Sequence, residues 1–133
     1  CPIVWKSKLQ MQIALSTTEA ELMALSAALR ETIPLMELVK ELQQNGYDFT
    51  ATRPKVHCRV FEDNSGALEI ASVPKMRPRT KFINVQYHHF RQYVDRNEIS
   101  ILPIDTNDQC ADILTKSVSL AKLNELRFRI LGW

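Results

Sequence analysis

Apolar positions recur along this chain with two periods. Ile3, Val4 and Trp5 precede a polar Lys6-Ser7-Lys8 turn, after which Met11, Ile13 and Leu15 alternate with Gln12, Ala14 and Ser16. Alternation with period two marks a strand with one buried face. The pattern predicts an antiparallel hairpin over residues 3–17. The spacing then changes. Leu22, Leu25 and Leu29 fall on one side of a helix. Thr18 and Glu21 fit the Ser/Thr-x-x-Glu capping box that opens such a helix. Pro34 breaks it or starts a second, with Leu35, Leu38, Val39 and Leu42 on one face, and Asn45-Gly46 stops it.

Residues 47–55 read as a loop. Val56 to Phe61 is a β-rich run ending at Glu62-Asp63-Asn64-Ser65-Gly66, and a helix is predicted from about Ser65 to Ala71. Ile83, Tyr87, Phe90 and Val94 mark a third long helix that ends near Asn97. Ile99, Ile101 and Ile104 predict another strand, residues 105–108 a turn, and Gln109 to Lys116 a short helix. Leu120, Leu123, Leu126 and Ile130 form a last helix, closed by Gly132. Strands alternating with helices after a hairpin predict an α/β fold: a mixed sheet with helices packed on its faces.

The length of 133 residues, with 45% apolar and 24% charged residues, fits one domain over 1–133 and excludes collagen-like, low-complexity and wholly disordered chains. No run approaches the ~20 apolar residues that span a bilayer, so no membrane partner is expected. Seventeen basic and fifteen acidic residues leave a net charge of +2, which neither requires nor excludes nucleic acid. Cys1, Cys58 and Cys110 are dispersed and form no C-x-x-C pair. This argues against a disulfide framework and a zinc site, and fits a reducing compartment. The start at Cys1, without a signal peptide, reads as the middle of a longer polypeptide.

Three acids stand out by position: Glu21 in the first turn of a helix, Asp63 just past a strand, and Asp112 in the short helix after the last strand. Carboxylates gathered at the ends of sheet elements hold Mg²⁺ or Mn²⁺ with positions open for phosphate. Each also has a plainer role available. Glu21 completes the capping box with Thr18, Asp63 forms an Asx turn, and Asp112 favours a helix N-terminus. Lys75, Arg77, Arg79 and Lys81 form a basic strip, read either as phosphate contacts or as a solvated loop. His88 and His89 point about 100° apart on a helix, so one is expected half-buried and the other at the surface. Trp5 reads as sheet packing rather than a base-stacking platform. His57 is placed in a strand with no function.

Five strings resemble the ribonuclease H segment of copia-type LTR retrotransposon polyproteins, in order and with spacing intact. They are Leu15-Ser16-Thr17-Thr18-Glu19-Ala20-Glu21-Leu22-Met23-Ala24-Leu25-Ser26, Glu62-Asp63-Asn64-Ser65-Gly66-Ala67-Leu68, Arg79-Thr80-Lys81-Phe82-Ile83, Tyr87-His88-His89-Phe90-Arg91, and Asp108-Gln109-Cys110-Ala111-Asp112-Ile113-Leu114-Thr115-Lys116. The resemblance implies a ribonuclease H-like fold, a five-stranded mixed sheet flanked by helices. It implies hydrolysis of the RNA strand of an RNA–DNA hybrid during reverse transcription, beside an adjoining reverse transcriptase domain. It also implies four acids holding two Mg²⁺ ions, with Mn²⁺ as a substitute. Glu21, Asp63 and Asp112 match three of them. The implied setting is cytoplasmic, virus-like particles included.

The family's first aspartate lies on a central strand upstream of the hairpin, and no acid precedes Glu19 here. The first strand is therefore expected to be missing from this chain, leaving exposed strand edges and an aggregation hazard. Residues 1–133 alone are expected to bind Mg²⁺ weakly and cleave little. Arg77, Phe82 and Asn84 depart from the histidines and aspartate common in the family, and Asn64-Ser65-Gly66 from the commoner Asn-Gln-Ser. A non-catalytic nucleic-acid- or protein-binding relative is the alternative. An integrase-like core fits the motif around Asp112 poorly.

Overall fold

The computed structural model describes residues 2–47, 55–72 and 88–133. They form α1 (Thr17–Gln44), β1 (Cys58–Glu62), α2 (Ser65–Ser72), α3 (His88–Asp95), β2 (Ile99–Pro103), two 3₁₀ turns (Thr106–Asp108 and Cys110–Leu114) and α4 (Leu120–Leu131). The chain divides into two compact units. Ala14–Pro103 is the larger, and Cys1–Ile13 with Ile104–Trp133 makes the other.

In the larger unit β1 and β2 pair in parallel, with Cys58 opposite Ile99 and Val60 opposite Ile101. Parallel neighbours need a crossover, and the chain between them carries α2 and α3. The architecture is mixed α/β, with a two-stranded open sheet among the described residues. Leu22, Leu25 and Leu29 of α1 are buried in one cluster with Ala67, Phe90 and Ile99. Each large side chain so buried contributes roughly 1.5–3 kcal/mol. The helical spacing of these leucines therefore places α1 over α2, α3 and the sheet.

Several expectations are corrected. The hairpin over residues 3–17 is absent: residues 2–16 contain no strand, and Met11, Ile13 and Leu15 are 88–90% exposed. Trp5, expected to pack on a sheet, is 72% exposed. A lone two-stranded hairpin is marginal in water. Alternation makes a strand only where another surface covers the apolar side, and no described strand pairs with this segment. Pro34 neither ends nor divides α1, which runs through it. The lost hydrogen bond is outweighed by burial on either side, at Leu29 and Met36. Of the face bearing Leu35, Leu38, Val39 and Leu42, Leu35 and Leu38 are exposed.

Of the other described elements, the stretch Gln109 to Lys116 forms a 3₁₀ turn over Cys110–Leu114 rather than a longer helix, and β2 ends at Pro103, before Ile104. Gly132 closes α4 in the left-handed conformation (φ 80°), where its N–H donates to the Phe128 carbonyl. His57 lies just before β1. Its Nδ1 hydrogen-bonds the Asn97 carbonyl and its Nε2 the Ser100 hydroxyl, both at 3.0 Å. A carbonyl only accepts, so Nδ1 carries the proton and Nε2 receives the hydroxyl hydrogen. His57 thus fastens the start of β1 to β2. Cys58 and Cys110 are free thiols. His89 is half-buried, edge-on to the Phe90 ring. Lys75, Arg77, Arg79 and Lys81, with Ile83 and Tyr87, lie outside the described residues.

Candidate metal centre

The first turn of α1 settles which residues cap it. Ser16 is the N-cap, with extended backbone, and its hydroxyl accepts from the Glu19 N–H at 3.1 Å. Glu19 reaches back to accept from the Leu15 N–H at 2.8 Å. The capping box is therefore Ser16–Glu19, not Thr18–Glu21. Two overlapping Ser/Thr-x-x-Glu frames exist in Ser16-Thr17-Thr18-Glu19-Ala20-Glu21, and the earlier one also satisfies a backbone donor outside the helix. The plainer role weighed for Glu21 is thereby filled by another residue.

The same holds at α2. Asn64 supplies its N-terminal cap: its Oδ1 accepts from the Ala67 N–H at 3.0 Å, while its carbonyl accepts from Leu68 at 2.9 Å. Asp63, one residue earlier, does not serve as this cap.

Glu21, Asp63 and a third acid, Glu62, each place a carboxylate oxygen within 4.8 Å of the others. Glu21 and Asp63 are half-buried, and Glu62 is only 6% exposed. Burial pushes the Glu62 carboxyl above the ordinary glutamate range. The Asn64 N–H, which donates to its Oε1 at 3.0 Å, opposes this, and the charges of Glu21 and Asp63 add to the rise. One hydrogen bond, worth about 1–2 kcal/mol, does not outweigh desolvation here.

Glu62 is the residue that the sequence reading passed over. Its signal was parity. Along β1, Cys58, Val60 and Glu62 share one face, and the first two pack on the core. Period two thus turns a strand-end acid inward beside Asp63.

Asp112 lies in the smaller unit, in the turn Cys110–Leu114. Its side chain is 15% exposed and ion-paired with Lys116 four residues on, at 2.9 Å to Oδ1 and 3.0 Å to Oδ2. The Lys116 and Thr115 N–H groups both donate to its main-chain carbonyl.

The donor set of the cluster is carboxylate oxygen alone. That is the chemistry of a hard divalent cation such as Mg²⁺ or Mn²⁺ and does not suit zinc, which favours nitrogen and sulfur. Three carboxylates so close repel one another by roughly 3 kcal/mol per pair at an effective dielectric of about 20. A cation between them would relieve that repulsion. The cluster could hold a metal ion.

No family model matches the chain, and no solved structure matches it. Four curated proteins do, among them three retrovirus-related polyproteins. The retrovirus-related Pol polyprotein from transposon TNT 1-94 of Nicotiana tabacum is 38% identical over 116 residues, 87% of this chain. Those from transposons RE1 and RE2 of Arabidopsis thaliana are 34% and 33% identical over 118 residues, 89% of this chain. The chain spans 8% of the length of each. Over most of its length, therefore, it is homologous to one short segment of retrovirus-related transposon Pol polyproteins.

Proposed function

We propose that this chain is the ribonuclease H segment of a retrotransposon Pol polyprotein, hydrolysing the RNA strand of RNA–DNA hybrids beside a reverse transcriptase domain. The observation that carries the reading is the meeting of Glu21 and Asp63. They come from different elements, and the capping work beside them is done by Ser16, Glu19 and Asn64. Carboxylates gathered at a strand end are suited to bind cations.

Glu21 and Asp63 would hold a divalent cation, and the carboxylate of Glu62 beside them would add to its attraction. The resemblance gives Asp112 the role of a further metal ligand, and its carboxylate is ion-paired with Lys116. When bound, the two metal ions supply an activated water and neutralise the leaving oxygen. The products carry 3′-OH and 5′-phosphate ends. Lys75, Arg77, Arg79 and Lys81 contact the hybrid backbone without regard to sequence. The setting is the cytoplasm. The resemblance calls for a fourth carboxylate, on a strand upstream of the 3–17 segment, and no acid precedes Glu19 in these residues.

The test is Mg²⁺-dependent cleavage of a labelled hybrid, with that upstream strand supplied and with it omitted. Cleavage that needs the strand and disappears in Asp63→Asn supports the reading. Hybrid binding without cleavage, even with the strand present, replaces it with the non-catalytic binder.

A further inference from the structure

Glu21 and Asp63 belong to different elements, so something must set their separation. Asn64 is tied to each element that carries an acid. Its Oδ1 accepts from Ala67 N–H in α2 at 3.0 Å and from the Thr18 hydroxyl in the first turn of α1 at 3.4 Å. Its N–H donates to the Glu62 carboxylate at the end of β1 at 3.0 Å. Thr18 lies three residues before Glu21, and residues at that spacing share a helix face. Asp63 is covalently next to Asn64.

Gly66 makes the close approach possible. A Cβ there would lie 2.8 Å from the Thr18 hydroxyl oxygen, 3.2 Å from the Thr18 methyl and 3.2 Å from Asn64 Oδ1. The first of these is shorter than such contacts allow. Either Thr18 would rotate and lose Asn64, or α2 would draw back from α1. Both outcomes uncouple the helix bearing Glu21 from the turn bearing Asp63.

We propose that Thr18, Asn64 and Gly66 form a positioning device that holds Glu21 and Asp63 at the separation one divalent cation requires. The inference rests on the metal-binding reading above. None of the three touches the ion; they act through the carboxylates. Outer partners of metal ligands typically change affinity 10–100-fold when removed.

Mn²⁺ alone is the probe, with binding followed by electron paramagnetic resonance and folding by thermal melts. Thr18→Val keeps the shape and removes the hydroxyl, and should weaken Mn²⁺ binding about tenfold. Thr18→Ser restores the hydroxyl and should return affinity to within about threefold of wild type. Gly66→Ala should weaken binding at least as much as Thr18→Val. Thermal melts of both variants separate that loss from general unfolding. Wild-type affinity in both Thr18→Val and Gly66→Ala, while Glu21→Gln and Asp63→Asn lose the ion, overturns the positioning inference and leaves the metal centre standing. No Mn²⁺ binding by the wild-type chain, or binding indifferent to Glu21→Gln and Asp63→Asn, overturns the metal centre and the inference with it.

Discussion

Glu21 and Asp63 differ from Asp112 in how the fold treats their charge. Asp112 has a cation one helical turn away, Lys116, and the pair is a local feature of a single turn. Glu21 and Asp63 are instead gathered with another acid, buried Glu62, at the meeting of α1, β1 and α2. The first arrangement neutralises a carboxylate using sequence neighbours. The second concentrates negative charge using tertiary structure, and its repulsion is tolerated because core packing fixes the elements. A site of the second kind has the stronger demand for an external cation.

The largest expected effect falls on the gathered acids. Glu21→Gln or Asp63→Asn should reduce Mg²⁺-dependent hybrid cleavage by about a thousandfold, equivalent to roughly 4 kcal/mol of transition-state stabilisation. A loss below tenfold would break the contrast. Next comes the packing that brings these acids together. Leu22→Ala, at a fully buried position one residue after Glu21, should cost about 2–5 kcal/mol in urea unfolding.

The third effect is a pH dependence. Glu62 has its carboxyl raised by burial above its unfolded value. Its favourable contribution is therefore complete below the ordinary glutamate range, near 4.3. It is lost as pH rises through the raised folded value. Without divalent ions the chain should become less stable across that window. Glu62→Gln keeps an acceptor for Asn64, so it should raise the neutral-pH melting temperature by a few degrees and flatten the slope. The smallest effect belongs to the local pair. Lys116→Met should cost only about 0.3–0.5 kcal/mol, as expected of an i,i+4 pair with one partner half-exposed.

The same division between local and tertiary determines what could be read from the residues. Leu22, Leu25 and Leu29 announce α1 because helical spacing is a local property, and Gly132 announces the end of α4 for the same reason. Met11, Ile13 and Leu15 alternate as a strand does, yet stay exposed, because pairing depends on a neighbour that a pattern does not contain. At the site, Glu21 and Asp63 were singled out from position and motif resemblance. Glu62 was missed although its parity with Cys58 and Val60 was legible. The Ser16–Glu19 cap was misplaced by two residues because two frames of one motif overlap. The tie from Asn64 to Thr18 joins residues far apart in sequence and was not legible at all.

The most direct test of the shared cation site is a crystal soaked in Mn²⁺, read by anomalous difference density. The account predicts a peak in ligand contact with carboxylate oxygens of both Glu21 and Asp63. Density bound to only one of them, or none at the cluster at saturating Mn²⁺, would contradict it.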